Sequence, residues 1–166
     1  MCFWTVEEFL KFDQCFLEDE LVFRLFFRLA FFSRMRKGER LALYWKDIHF
    51  KNRIISVDRT VTKINGTEYF NDTQTKAWKR RISINQKLVN ILSEWKSIQQ
   101  TFLQSYLKDR SIEEVRVFEI NPYQALDAGN IRKKYASLLK GIPGLIPIRI
   151  QDFRHSHSAM CYAEPS

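Results

Sequence analysis

Apolar residues recur at helical spacing near the start of the chain. Three phenylalanines lie three and four residues apart and so share one helical face: Phe9, Phe12 and Phe16. Thr5 followed by Glu8 forms a capping-box sequence, which predicts that the first helix begins there. Residues 20–32 are apolar on most sides and predict a second helix, which we expect to lie in the core. A membrane-spanning helix is not indicated, because the segment contains two arginines and is too short to span a bilayer.

From residue 49 onwards the hydrophobic period changes to two. Apolar and polar residues alternate over residues 55–61, which predicts a strand. Asn65-Gly66 is a hairpin turn sequence and predicts a returning strand over residues 68–70. A third strand is predicted over residues 81–84. The polar, basic stretch 71–80 between these strands then predicts a loop at the edge of the sheet.

Helical periodicity returns in the second half of the chain. Asn85 and Asp127 each predict the N-cap of an amphipathic helix, the second of which covers residues 128–140. A further short helix is predicted over residues 37–44. The whole pattern predicts one α+β domain over residues 1–166, mostly helical and with a small antiparallel three-stranded sheet.

Composition and charge narrow the range of partners. A chain of 166 residues with 45% hydrophobic residues is long enough to bury a core. Its net charge of +8 favours a polyanionic partner, although a solvated basic surface is the simpler interpretation. The three cysteines are scattered, which is typical of a reducing compartment. No signal-peptide pattern precedes the first helix, so we expect a cytoplasmic protein.

Cations cluster at the junction between the second helix and the first strand. Four of them fall within seven residues: Arg34, Arg36, Lys37 and Arg40. Two distant segments are similar in character, the basic loop 73–81 and residues 148–157, which contain Arg154 and His155. Two arginines, a lysine and a histidine form a set suited to holding one phosphodiester, because guanidinium groups match phosphate oxygens and the other two groups can move protons. Simple salt bridges are the alternative, with Glu39 or Asp47 beside Arg36 and Asp152 beside Arg154.

The order of these segments resembles the catalytic domain of tyrosine recombinases, the integrases of phages and mobile elements. Three boxes carry the resemblance: Phe3-Trp4-Thr5-Val6-Glu7-Glu8-Phe9, Met35-Arg36-Lys37-Gly38-Glu39 with the Leu41 to Ile48 segment, and Asp152-Phe153-Arg154-His155-Ser156-His157. The resemblance implies DNA binding and site-specific recombination through a phosphotyrosine link, without a metal or nucleotide cofactor. It also implies catalytic roles for Arg36 and Arg154 on the phosphate, for a hairpin lysine as general acid, and for His155.

Several positions depart from the family pattern. Arg34 stands where a glycine is usual, and would strain the bend there if its φ were positive. In the simplest register Gln74 occupies the catalytic lysine position, with Lys76 two residues further on as the candidate in this chain. Gln151 replaces the expected histidine at the start of the last box.

The resemblance also implies segments beyond this chain. The nucleophilic tyrosine and the DNA-clamping domain of the family have no counterpart here, and Tyr162 falls on the wrong helix to act as nucleophile. We therefore expect an incomplete catalytic domain that contacts double-stranded DNA but does not recombine it alone. Cleavage in trans, with other recombinase protomers as partners, stays open.

A second hypothesis is a non-catalytic DNA-binding or interfering module. Six cations would supply its phosphate contacts: Lys79, Arg80, Arg81, Arg132, Lys133 and Lys134. The alternative for these residues is ordinary solvated surface. A metal site at His155, His157 and Cys161 is weakly indicated by spacing alone and lacks a second pair of ligands, so no metal, membrane or small-molecule partner is expected.

Overall fold

Helices make up about half of the computed structural model, which describes residues 3–72, 79–121 and 124–153. Five α-helices lie in these ranges: α1 (Val6–Asp13), α2 (Leu21–Phe32), α3 (Lys37–Leu41), α4 (Gln86–Leu107) and α5 (Ala128–Lys140). None of the helices in the described ranges is both long enough and apolar enough to cross a membrane. The α+β prediction is confirmed, and α2 is a core helix.

Three small antiparallel sheets accompany the helices. Their strands are β1 (Ile48–His49), β2 (Ile54–Val57), β3 (Arg59–Ile64), β4 (Thr67–Asp72), β5 (Arg80–Ser83), β6 (Glu119–Asn121) and β7 (Gln124–Ala125). One sheet has three strands in the order β1-β2-β5, whereas β3 pairs with β4 and β6 with β7.

The predicted strand over residues 55–61 is in fact two strands. β2 ends at Val57 and pairs with β5, while β3 begins at Arg59 and pairs with β4. Asp58 lies between them and marks the change from one sheet to the next. Val57 and Val61 are buried on either side of the change, whereas residues 58–60 are all half-buried. The apolar residues Ile55, Val57 and Val61 keep to odd positions, so the sequence period does not reveal the change.

Local capping and turn chemistry agrees with the sequence. The Thr5 hydroxyl accepts from the Glu8 amide, completing the capping box of α1. Asn85 caps α4 and Asp127 caps α5, each by accepting a backbone N–H. Asn65 and Gly66 both have positive φ, 50° and 82°, as the two central residues of a type I′ hairpin turn require.

The chain divides into two compact units. The first consists of Met1–Arg36 with Asp127–Ser166, and the second of Lys37–Leu126. Phe153 lies fully buried in the first unit. Among the described residues, six rings surround it with centroids 5.1 to 6.3 Å from its own: Trp4, Phe9, Phe12, Phe27, Phe31 and Tyr135. Residues from α1, α2 and α5 thus share one aromatic core.

A buried carboxylate joins α1 to α2 in the first unit. Asp13 is 1% exposed and accepts paired hydrogen bonds from Arg24 at 3.1 and 2.7 Å and from Arg28 at 2.9 and 2.7 Å. Burial alone would raise the pKa of Asp13, but the hydrogen bonds and charges of Arg28 and Arg24 outweigh it and lower the pKa below its usual value. Asp13 therefore stabilises the unit as a carboxylate.

We expect Asp13→Asn to lower the free energy of unfolding by about 1–2 kcal/mol at neutral pH, because an amide cannot form two charge-assisted pairs. Since the folded pKa lies below the unfolded one, this contribution is present above the unfolded pKa and is lost as pH falls through the folded pKa. The variant should therefore lose less stability than the parent over that acid range. Urea unfolding between pH 7 and pH 3 measures this, and parallel curves would contradict it.

The second unit is built around α4. Gln99 is fully buried in the middle of this helix and accepts from the Trp45 indole while donating to the carbonyls of Arg116 and Glu119. Trp95 donates its indole N–H to the Val117 carbonyl at 2.6 Å. The backbone of residues 43–45 also pairs with that of residues 115–117, which ends α3 at Leu41 rather than at the predicted residue 44.

Candidate nucleic-acid interface

Arg36 lies on the surface directly after a buried residue. Its side chain is exposed, whereas Met35 before it is completely buried. Arg34 and Lys37 are also exposed, but Arg40 is 1% exposed and belongs to the interior. The four clustered cations therefore do not form one surface. Arg34 is not among the described residues with positive φ, so the expected strain at this position is absent.

Gly38 allows α3 to approach β3 closely. A Cβ atom at this position would lie 2.3 Å from the Thr60 hydroxyl oxygen and 2.8 Å from the Val61 carbonyl oxygen. Both distances are too short for any side chain larger than hydrogen. The glycine next to the Arg36-Lys37 dipeptide is thus needed for packing, and the turn itself does not require it.

Glu39 holds the start of β5. Its carboxylate is 4% exposed and accepts from both terminal nitrogens of Arg80, at 3.2 and 2.7 Å. This paired geometry is the strong form of an arginine–carboxylate contact. Glu39 contacts Arg80, and Asp47 contacts Arg59. Both acids that the sequence suggested as partners for Arg36 therefore form ion pairs with other arginines. DNA contact by Arg80 stays a prediction, but its guanidinium already supports the fold.

The neighbours of Arg80 point away from the core. Lys79, just before β5, and Arg81 within it are both exposed, as expected for the residues on either side of an inward-facing strand residue. Arg81 lies opposite Ser56 in the neighbouring strand. The predicted hairpin residues Lys76 and Gln74 lie outside the described residues, so the choice between them stays open.

Arg116 supports α3, a role that no sequence motif predicted. Its buried guanidinium donates to the Leu41 carbonyl at 3.0 and 2.7 Å and to Glu68 at 2.8 Å. It thereby links the end of the short helix to β4. A cation inside the apolar run Val115–Arg116–Val117–Phe118 was the feature of the sequence that could have indicated it.

In the first unit, the structure describes the residues leading to the second candidate arginine. Asp152 is buried and accepts from Arg149 at 3.0 and 3.3 Å, which raises the pKa of that guanidinium. Gln151 between them is exposed. Tyr135 of α5 hydrogen-bonds the backbone of Ile148 and holds this segment, and its burial raises the pKa of the phenol.

Some candidate residues lie outside the described part of the chain. These are Arg154 and His155, together with His157 and Cys161 of the metal hypothesis. Within the described ranges, no group of three His, Cys, Asp or Glu side chains could hold a metal ion.

The basic residues of α5 differ in exposure. Arg132 and Lys133 are exposed, as predicted. Lys134 was also predicted to be exposed but is half-buried. It forms an ion pair with Glu20, and its Nζ lies 5.7 Å from the centre of the Phe23 ring. Arg36, Arg132 and Lys133 belong to the first unit, whereas Lys79, Arg80 and Arg81 belong to the second.

Comparison with known proteins places the chain among integrases. Residues 5–164 match the model of the phage integrase family. The ICEBs1 integrase of Bacillus subtilis strain 168 is 35% identical over 163 residues, covering 96% of this chain and 43% of that protein. The integrase of Staphylococcus phage L54a is 29% identical over 133 residues, covering 76% and 36%. The chain spans less than half the length of these curated relatives.

Solved structures show the same fold. The Tn1549 transposon integrase, determined in complex with transposon right end DNA, matches with a TM-score of 0.72 and 16% identity over 99% of this chain and 55% of that one. XerA recombinase matches with a TM-score of 0.70 and 12% identity, over 99% and 53%. The fold is that of the tyrosine recombinase catalytic domain. With the family model covering nearly every residue, the chain belongs to the phage integrase family.

Proposed function

We propose that this chain binds double-stranded DNA and holds one phosphodiester for site-specific recombination. Arg36 and Arg154 are the proposed phosphate ligands, Lys76 the general acid and His155 an assisting proton carrier. The proposal needs no metal, because two guanidinium groups can neutralise the charge that develops on the phosphate oxygens. Other recombinase protomers are proposed partners in the complete reaction.

The exposure of Arg36 carries this proposal. A fully buried methionine precedes it, and its position matches the first arginine of the family pattern. A side chain next to a residue anchored in the core loses less freedom when it binds an anion than one on a mobile loop. An exposed arginine with such support is well suited to a phosphate that must be held in one orientation.

Exposed cations on both units support contact with the DNA backbone. Arg132 and Lys133 of α5 and Lys79 and Arg81 around β5 are available for phosphate contacts that carry no sequence information. Relatives of known structure include an integrase determined with transposon DNA. This favours DNA over other polyanions.

A second candidate function is DNA binding without cleavage. Gln151 is exposed where the family pattern expects a histidine, and an amide cannot exchange protons in the reaction. In this alternative the chain occupies a recombination site and interferes with, or assists, other protomers.

Two assays with one set of variants test these functions. Fluorescence anisotropy with duplex DNA should show tight, salt-sensitive binding by the parent chain. Arg36→Ala should bind about tenfold more weakly, since a hydrogen bond to a charged group contributes about 1.5–3 kcal/mol. Lys11→Ala removes the same charge from an exposed site on α1 and should bind like the parent.

A nicked suicide substrate then separates the two functions, provided that a full-length integrase protomer is added to supply the nucleophilic tyrosine in trans. A covalent protein–DNA adduct that Arg36→Lys abolishes supports recombinase chemistry, because lysine keeps the charge but not the paired geometry. Binding without an adduct supports the non-catalytic alternative. Absence of DNA binding by the parent chain contradicts both.

A further inference from the structure

A polar cavity lies beside the C-terminal half of α4, and its lining includes none of the residues assigned above. Its volume is about 580 Å³. Seven of its lining residues carry polar side chains that determine its chemistry: Ser97, Gln100, Thr101, Gln104, Lys108, Arg110 and Ser111. All seven are exposed. We call this the α4 terminal cavity.

The composition of the α4 terminal cavity favours an anion. Lys108 and Arg110 supply two positive charges, and the described residues that line it include no carboxylate and no aromatic ring. The partial negative charge of the α4 C-terminus amounts to about half an elementary charge, so the two cations exceed it. The absence of aromatic rings from this lining argues against the stacking of bases.

The two glutamine side chains of the cavity add hydrogen-bond donors, whereas the Ser97 and Thr101 hydroxyls do not. The hydroxyls of Ser97 and Thr101 donate to helix carbonyls at 3.2 and 3.0 Å, which uses the one proton each has. The side-chain amides of Gln100 and Gln104 can still donate, in addition to the two cations. Lysine, arginine and glutamine are among the side chains that contact phosphate oxygens in DNA complexes.

The backbone at Lys108 provides a second, independent observation. Its φ of 49° and ψ of −113° are those of the first central position of a type II′ turn, which glycine normally occupies. The Arg110 amide closes this turn on the Leu107 carbonyl at 2.7 Å. Such strain in a residue with a side chain is often found at ligand sites.

The simple alternative is that both cations only complement the helix dipole. That interaction is weaker than the strain at Lys108, and a lysine at an unstrained neighbouring position would provide it equally well. A lysine at this glycine position therefore requires a further reason.

We propose that the α4 terminal cavity binds a phosphodiester of the DNA backbone through Lys108 and Arg110, independently of base sequence. This rests on the proposed DNA-binding function and adds a contact remote in sequence from Arg36. The site would increase affinity for any duplex and leave sequence preference unchanged.

Salt-dependent DNA binding tests the proposal. The double variant Lys108→Ala/Arg110→Ala should lower the slope of log K against log salt by about 2, one unit for each cation that no longer meets a phosphate. The matched control Lys11→Ala/Lys87→Ala removes the same charge from exposed positions outside the cavity and should keep the parent slope. The decrease in affinity should be equal for two duplexes of unrelated sequence.

Lys108→Gly provides the decisive single variant. It relieves the turn, so its thermal midpoint should rise by about 2–4 °C, while its DNA affinity and salt slope should fall. Weaker binding by a more stable protein excludes misfolding as the cause. If the parent binds DNA and both cavity variants bind equally well, the cavity proposal is wrong and the proposed function stands. If the parent does not bind DNA, the proposed function itself fails.

Discussion

Replacing Gly38 with alanine should destabilise the protein by about 3 kcal/mol, among the largest effects expected of any single methyl group in this chain. The added Cβ would meet the Thr60 hydroxyl oxygen at 2.3 Å and the Val61 carbonyl oxygen at 2.8 Å. The first of these can rotate away, but the second belongs to the backbone of β3 and cannot move without shifting the strand. Thermal denaturation should show a midpoint lowered by about 6–12 °C.

Two further variants make this prediction specific. Gly141→Ala is the matched control, because its Cβ would contact the Leu138 carbonyl oxygen at an ordinary 3.6 Å. It should change the free energy of unfolding by less than about 0.5 kcal/mol. Adding Thr60→Ala to Gly38→Ala should restore only part of the stability, since the Val61 carbonyl remains. Complete restoration would show that the backbone carbonyl does not limit the approach of α3.

Arg80→Ala should reduce stability, whereas Arg81→Ala should reduce DNA binding, although the two residues are adjacent. Arg80→Ala should lower the free energy of unfolding by about 2–3 kcal/mol, because the buried Glu39 loses its guanidinium partner. The effect stays below that of a fully buried ion pair, since solvent partly screens Arg80. Arg81 is exposed, so its replacement should leave stability within about 0.5 kcal/mol and weaken DNA binding instead.

Urea denaturation combined with anisotropy on the same samples separates the two effects. The double variant Glu39→Gln/Arg80→Ala should be less unstable than the sum of its single variants, because the two side chains contact each other. Strict additivity would show that the pair does not act as a unit. Arg80→Lys should recover only part of the stability, since an ammonium group cannot form the paired contact.

The parts of the fold that were predictable depend on local chemistry. The capping residues Thr5, Asn85 and Asp127 and the Asn65-Gly66 turn act within three or four residues of themselves, so their sequences determine the outcome. The change of sheet at Asp58 depends on which distant strands are available for pairing. The sequence period is the same on both sides of Asp58, so the sequence predicted one strand where the structure has two, and that prediction was wrong.

The candidate site also contains features that local sequence indicated and features that depend on distant contacts. The candidate role of Arg36 came from its motif, whereas its exposure is seen only in the structure. The pairing of Glu39 with Arg80 joins residues 41 positions apart and has no local pattern. The inward orientation of Arg80 within a basic run depends on its register with Val57 in β2. The strained φ of Lys108 was also beyond sequence reasoning, because lysine rarely occupies that conformation and nothing nearby indicates it.

The aromatic core around Phe153 has a consequence for synthesis of the chain. The first unit is discontinuous, with Lys37–Leu126 inserted between its two parts. The Trp4 indole donates to the Ile146 carbonyl across a separation of 142 residues, and Phe9 and Phe12 pack on a ring at position 153. On the ribosome, α1 and α2 therefore emerge long before the residues that cover them, while the second unit is contiguous and has its own core. We therefore expect the inserted unit to complete its core first and the unit that begins the chain to close last.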